Sequence, residues 1–109
     1  MKQNILCPKF EKAMSILSQR WTGLVINQLT VGPQRFCEIE SAIPISGRLL
    51  SERLKSLEHE GIVIREVFPE TPVRIEYSLS EKGKALMPVL CELQTWASKW
   101  IQIENEKSN

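Results

Sequence analysis

Apolar residues recur in steps of three and four along the first half of the chain, which is the period of amphipathic helices. Pro8 suits the first turn of a helix, where its missing N–H costs nothing, and Gly32-Pro33 is a strong stop signal. Between and after these signals the pattern predicts three short helices, over residues 8–18, 21–30 and 35–41.

A fourth helix is predicted over residues 46–60. Ser46 is a good N-cap because its hydroxyl can accept a hydrogen bond from an unpaired N–H two or three residues further on. Gly61 suits a left-handed end to the helix. Leucines form the buried stripe of this helix, whereas the opposite face carries small, polar and charged residues: Gly47, Arg48, Ser51, Glu52 and Lys55.

The period changes after residue 61. Residues 62–68 are rich in β-branched side chains, and residues 73–79 alternate apolar with polar side chains, as half-buried strands do. The turn-forming sequence Pro69-Glu70-Thr71-Pro72 lies between them, so residues 62–79 are predicted to form a β-hairpin. Helical spacing then returns over residues 80–105, with Pro88 near the first turns, where a proline can bend a helix.

These elements predict a single mostly helical α+β domain over residues 1–109. Short helices separated by a tight break and followed directly by a hairpin are the pattern of a winged helix-turn-helix. In that fold, helix 46–60 is the recognition helix that reads DNA, hairpin 62–79 is the wing, and the long C-terminal helix 80–105 serves dimerisation.

The composition argues against several other classes of protein. Hydrophobic residues make up 42% and charged residues 25%, as in soluble globular domains, and no window approaches the roughly 20 apolar residues of a membrane span. The amino terminus lacks the apolar run of a signal peptide, so we expect a cytoplasmic protein with no membrane partner.

Candidate enzymatic and metal-binding chemistry is sparse. The three cysteines lie far apart and the single histidine has no ligand-type cysteine nearby, so no metal site and no cofactor is expected. The sequence offers no Ser/His/Asp set, no paired carboxylate site and no phosphate-binding glycine loop, so an enzyme is the least supported class.

The net charge of +1 conceals an asymmetry that suits an anionic partner. Residues 1–55 carry eight Lys or Arg against four Glu, whereas residues 56–109 carry six against nine. Arginine can bind guanine or phosphate, serine can bind either, and lysine suits phosphate. The candidate DNA contacts are Ser46, Gly47, Arg48, Ser51, Lys55 and, in the wing, Arg74 in preference to Arg65.

Both parts of this DNA assignment have a structural alternative. The outward residues of helix 46–60 would equally suit an ordinary solvated helix face, and Arg74 would suit a cross-strand pair with Glu66. The adjacent break and hairpin favour DNA binding.

The closing helix carries an apolar seam with two tryptophans. A monomer of this size has few places to bury both indoles, so the seam predicts a homodimer interface, with intrachain core as the alternative. The predicted interface residues are Leu90, Leu93, Trp96, Ala97 and Trp100.

Cys7 immediately precedes the first predicted helix, where unpaired N–H groups and the positive end of the helix dipole favour a thiolate. Thiolates are the species that electrophilic quinones and oxidants attack. A small buried apolar role is the commoner fate of a free cysteine, and it is the expectation for Cys37 and Cys91. Cys91 also flanks the predicted dimer seam, so oxidation against Cys7 of the other subunit is its alternative.

The order and spacing of short motifs over about residues 7–100 resemble the HxlR-type winged-helix regulators. These motifs are Cys7-Pro8, Arg20-Trp21-Thr22, Gly32-Pro33, Arg35-Phe36, Glu38-Ile39, Ile43-Pro44, Ile45-Ser46, Leu50-Ser51, Arg53-Leu54, Leu57-Glu58, Gly61-Ile62-Val63, Pro69 to Leu79 and Lys82-Gly83. Within the family, Cys7-Pro8-Lys9 with Glu11-Lys12-Ala13, supported by Pro69 to Val73, is most similar to the quinone- and electrophile-sensing, YodB-like repressors.

This resemblance implies a homodimer that represses its target genes from an inverted-repeat operator in double-stranded DNA. It also favours Cys7 as the regulatory residue, modified by a quinone, another electrophile or an oxidant. Some relatives carry a cysteine beyond the final tryptophan pair, whereas residues 96–109 have none, so a disulfide to such a cysteine is not expected here. A regulator that answers to a non-covalent small ligand, and a protein-interaction module without DNA binding, are the alternatives.

Overall fold

The computed structural model describes residues 7–103, which form a mostly helical domain with one antiparallel two-stranded sheet. A short 3-10 turn, Leu29–Val31, follows the second helix. The elements in chain order are α1 (Pro8–Leu17), α2 (Thr22–Gln28), α3 (Phe36–Ala42), α4 (Gly47–His59), β1 (Val63–Phe68), β2 (Arg74–Leu79), α5 (Glu81–Lys84) and α6 (Met87–Trp100). The predicted fold class is confirmed.

The ends of α4 form as the local sequence predicts. Ser46 is its N-cap, and its hydroxyl accepts a hydrogen bond from the Leu49 N–H at 3.1 Å. Gly61 lies two residues beyond the helix with φ of 77°, a left-handed conformation that glycine adopts without steric cost. Helix α4 therefore begins and ends at positions set by its own capping residues.

The hydrophobic core lies where α2, α3 and α4 meet the base of the hairpin and the start of α6. All three leucines of the predicted stripe, Leu50, Leu54 and Leu57, are buried there. The remaining buried apolar side chains are Val25, Ile26, Leu29, Ile39, Ile45, Ile62, Val63, Leu79 and Leu90. Since α4 supplies one whole face to this core, its opposite face is held towards solvent.

The hairpin is in register from Val63 opposite Leu79 to Phe68 opposite Arg74. A backbone bridge joins it to the α2–α3 connection, because the Gln34 N–H donates to the Tyr77 carbonyl at 2.9 Å and the Tyr77 N–H donates to the Gln34 carbonyl at 2.7 Å. The wing is thus anchored at its base by main-chain hydrogen bonds that the sequence pattern did not reveal.

The closing helix differs from the single helix predicted over residues 80–105. It is divided into α5 and α6, and α6 ends at Trp100. Pro88 lies in the first turn of α6, and its ring excludes a helical hydrogen bond to the carbonyl four residues earlier, that of Lys84, where α5 ends. Residues 104–105 of the prediction lie outside the described part of the chain, in which no helix is long and apolar enough to cross a membrane.

At Gly83 the backbone of α5 comes close to the start of the wing. It is buried, and a Cβ at this position would lie 2.3 Å from the main-chain oxygen of Ile62. We expect Gly83→Ala to lower the free energy of unfolding by about 1–3 kcal/mol, because a backbone atom has to move. Urea unfolding followed by circular dichroism measures this change.

Gly23→Ala in α2 is the matched control, since no atom lies within 4 Å of the added Cβ. It should leave stability unchanged or raise it by about 0.5–1 kcal/mol, the usual preference of a helix for alanine. Equal unfolding midpoints for the two variants would contradict the close approach.

Candidate nucleic-acid interface

The outer face of α4 presents cations to solvent. Arg48 has a side-chain exposure of 92%, and its nearest carboxylate, that of Glu52, is 3.8 Å away in a solvent-exposed pair of low strength. Lys55 is exposed on the same helix and Ser51 is half-buried. Both cations are therefore free to meet an anionic surface, whereas the Ser46 hydroxyl is already engaged as the cap of α4.

Gly47 has a use inside the protein that the sequence did not reveal. A Cβ there would lie 2.7 Å from Oε2 of Glu40, a residue of α3. The missing side chain therefore makes room for a carboxylate beside the first turn of α4, where the positive end of the helix dipole favours negative charge.

A polar cleft of about 430 Å³ separates α4 from the wing. We call it the reading cleft, and its lining residues are Ser51, Lys55, Glu58, Arg65 and Tyr77. Arg65 and Tyr77 are cross-strand partners in the hairpin, so the wing contributes its cation from a fixed register position. Among residues 7–103 no carboxylate lies within 4.0 Å of the Arg65 guanidinium. Two cations, two hydroxyls and the Glu58 carboxylate surround this opening, so its net charge is positive and it can accept a phosphate group.

Arg74, the preferred wing cation of the sequence prediction, is occupied within the wing. Its guanidinium lies over the Phe68 ring at 3.9 Å from the centroid, and its Nη2 is 2.9 Å from Oε2 of Glu70. Nη1 of Arg74 pairs with the Glu76 carboxylate. The hydrogen bond from Arg74 holds the pKa of Glu70 below its ordinary value, and the same bond raises the pKa of Arg74.

The alternative pairing of Arg74 with Glu66 is wrong, because the hairpin register places Glu66 opposite Glu76 and Arg74 opposite Phe68. Two carboxylates and one guanidinium leave this part of the wing with a net negative charge. In the described structure Arg65, rather than Arg74, is the unpaired wing cation that faces the recognition helix.

All three cysteines are exposed free thiols. Cys7 is the N-cap residue of α1, and its carbonyl accepts the first helical hydrogen bond from the Glu11 N–H at 2.9 Å. The expectation that Cys37 and Cys91 pack inside the protein is wrong. Cys37 follows Phe36 and Cys91 follows Leu90, and both preceding residues face the core. Successive residues of a helix point about 100° apart, so the two cysteines face solvent.

The predicted seam on α6 separates into two parts. Leu90 is only 8% exposed and belongs to the intrachain core, so it does not belong to the free surface. Leu93, Trp96 and Trp100 are 57%, 53% and 63% exposed, and Ala97 is half-buried. We call Leu93, Trp96, Ala97 and Trp100 the α6 apolar face. The alternative prediction, that both tryptophans belong to the intrachain core, is therefore wrong, because both indoles lie largely in solvent in a single copy of the chain.

Comparison with known proteins shows the same architecture in transcriptional regulators. A family model described as HxlR-like helix-turn-helix matches residues 16–105. The HTH-type transcriptional regulator YvaP of Bacillus subtilis is 63% identical over 102 residues, which are 93% of this chain and 94% of YvaP. The HTH-type transcriptional regulator YodB of B. subtilis is 52% identical over 100 residues, 91% of this chain and 89% of YodB.

Solved structures of relatives match the fold. The reduced form of YodB superposes with a TM-score of 0.82 at 52% identity, over 90% of this chain and 97% of that one. Quinone-bound YodB superposes with a TM-score of 0.77 at 48% identity, over 87% and 100%. The redox regulator HypR in its oxidised form superposes with a TM-score of 0.81 at 33% identity, over 89% and 100%.

The chain therefore belongs to the HxlR-like helix-turn-helix family and is a DNA-binding transcriptional regulator.

Arg65 tests the reading cleft directly. We expect Arg65→Met to weaken binding to a labelled DNA duplex and to reduce the steepness of log affinity against log salt by about 0.9, the contribution of one phosphate contact. Fluorescence anisotropy at several salt concentrations measures both quantities. Lys84→Met, which removes one exposed charge from α5 outside the cleft, is the control. If both variants changed the salt dependence equally, the effect would belong to net charge rather than to the cleft.

Proposed function

We propose that this HxlR-family protein is a homodimeric repressor that binds an inverted-repeat operator and is released when Cys7 is modified by a quinone, another electrophile or an oxidant. The observation that carries the proposal is the exposed thiol at the N-cap of α1 in a chain that superposes on quinone-bound YodB. Because its DNA partner lies in the cytoplasm, we place the protein there, and we assign it no enzymatic activity.

The α6 apolar face supports the dimer. Leu93, Trp96 and Trp100 expose large apolar side chains along one face of α6, and a second copy of the same face would cover them. Two recognition helices related by a two-fold axis meet successive major grooves about 34 Å apart, which explains why the operator would be an inverted repeat.

The position of Cys7 supports its chemistry. Its thiol is exposed at the amino end of α1, so a reagent in solution can reach the sulfur. The thiolate sulfur would add to a ring carbon of the quinone, forming a C–S bond, and the ring electrons would move to the carbonyl oxygens. The attacked ring carbon then loses its hydrogen as a proton and the two oxygens take up protons, so the product is a hydroquinone thioether on Cys7. An oxidant instead converts the thiolate to a sulfenate or a disulfide.

The attachment of α1 supports a path from Cys7 to the DNA-binding face. No residue of α1 is fully buried, and only Ile16 and Leu17 pack against the core. The Lys12 ammonium lies 3.1 Å from Oε2 of Glu60, the residue that caps the carboxyl end of α4. A change at the start of α1 would thus reach the recognition helix through an element that the core restrains only weakly.

Cys7→Ser tests the regulatory part. With a duplex that the wild-type protein has selected from random sequences, diamide or benzoquinone should release the wild type and leave Cys7→Ser bound. Cys37→Ser and Cys91→Ser are matched controls because both thiols are also exposed, and both should be released as the wild type is. Release of Cys7→Ser at the wild-type dose would exclude Cys7 as the sensor while leaving DNA binding intact.

Trp96→Ala tests the dimer. A large aromatic residue at the centre of an interface contributes about 2 kcal/mol or more, so the dimer dissociation constant should rise by about 30-fold or more. Sedimentation velocity over a concentration series measures this change. Val31→Ala is the control, since Val31 is 81% exposed and apolar but lies in the 3-10 turn rather than on α6. A wild-type protein that sediments as a monomer would contradict the proposal.

A further inference from the structure

We infer that a small cavity beneath α1 is a binding site for a monocyclic aromatic acid of the benzoate class. The binding part of this inference stands on the cavity alone. Its consequence for DNA affinity rests on the proposed function.

The cavity has the size and lining for one aromatic ring. Its volume is about 160 Å³, and its walls are almost wholly aliphatic. Closed apolar cavities of about 150 Å³ bind benzene, and this cavity has a similar volume but opens to solvent on one side, where Ala13, Lys82 and Ala85 are exposed. The lining residues are Ala13, Ile16 and Leu17 from α1, Ile62 at the base of the wing, and Lys82, Ala85 and Leu86 from α5 and the connection after it.

Lys82 supplies the single charge among these lining residues. Its ammonium donates to the main-chain carbonyl of Glu60 at 2.6 Å, a neutral acceptor that leaves the positive charge in place. The Glu60 carboxylate does not cancel that charge, because it is paired with Lys12 at 3.1 Å. Two ammonium groups and one carboxylate therefore meet beside the cavity, so the local charge is positive.

This combination selects the ligand class. In the proposed complex an apolar ring would fill the aliphatic space, and its carboxylate would lie at the open side towards the Lys82 ammonium. The hydrogen bond to Glu60 uses one of the three N–H donors of that ammonium. A neutral ring of the same size gains only the apolar contacts. An aliphatic acid without a ring leaves the cavity partly empty.

The cavity is distinct from Cys7. Cys7 does not line it, and Ala13 lies six residues later, about 9 Å along the helix axis. Ile62 follows Gly61 directly and so belongs to the junction of the recognition helix and the wing. A ring held between Ile62 and α1 contacts the DNA-binding unit and the helix that carries Cys7 at the same time. Occupancy is therefore expected to change DNA affinity without covalent chemistry at Cys7.

Sodium benzoate and benzyl alcohol are the probes, each titrated into the intact protein without DNA and followed by saturation-transfer NMR and amide chemical shifts. Benzoate should bind with a dissociation constant of roughly 0.1–10 mM, typical of a ligand this small, and benzyl alcohol more weakly. The amide shifts should centre on residues 13–17, 62 and 82–86.

Variants of Lys82 separate the contribution of its charge from that of the apolar contacts. Lys82→Met should weaken benzoate by about two- to fivefold and leave benzyl alcohol unchanged, as expected for one partly exposed ion pair. Lys82→Arg should retain benzoate. Lys84→Met is the matched control, because Lys84 is a neighbouring lysine of α5 that lies outside the cavity, and it should bind benzoate as the wild type does.

Filling the cavity tests the location. Ala85→Leu should abolish binding of both probes, whereas Ala42→Leu, at the exposed end of α3, should not. The inference is overturned if benzoate fails to bind the wild type, if Ala85→Leu binds it normally, or if Lys82→Met and Lys84→Met behave alike. None of these outcomes depends on DNA binding, so they leave the proposed function untouched.

Discussion

Burial of the leucine stripe of α4 is the constraint on which the rest of this structure depends. Leu50, Leu54 and Leu57 lie in the core, and the helical period then directs Arg48 and Lys55 away from it. The same packing holds Glu60, at the end of the helix, beside α1. The orientation of the cationic face and the ion pair to α1 both follow from this packing, and a change that rotated α4 would disturb both.

The sequence predicted the elements well because each has a strong local signal. Ser46 and Gly61 delimit α4 through their own chemistry, and the change from helical to alternating spacing locates the wing. The partners of Arg74 have no such signal. Glu70 is four residues earlier across a turn and Glu76 is two residues later on the same strand, so only the folded hairpin shows that both reach one guanidinium. The prediction therefore chose Arg74 for DNA, where the structure favours Arg65.

The closing segment shows a second limit of periodicity. A regular seam indicates which side chains share a face, but it does not indicate what covers that face. Leu90 faces the intrachain core, whereas Leu93 and the two tryptophans, further along the same helix, extend beyond it. The break at Pro88 was foreseen only as a bend, although the missing hydrogen bond to Lys84 was enough to divide the helix. Cys37 and Cys91 were misplaced for a related reason, since one residue along a helix decides between core and solvent.

The elements to which we assign regulation share a physical property, which is weak attachment to the core. In α1 no residue is fully buried, and an ion pair and an aliphatic cavity lie between it and the rest of the domain. Elements that move in response to a signal are drawn from the least stable parts of a fold, because small energies can shift them. An exposed ion pair such as Lys12–Glu60 contributes only about 0–1 kcal/mol to stability, so a chemical modification near α1 could outweigh it. A thiol adduct at one end of α1 and a ring beneath its other end would therefore act on the same loosely held helix, by two chemically independent routes.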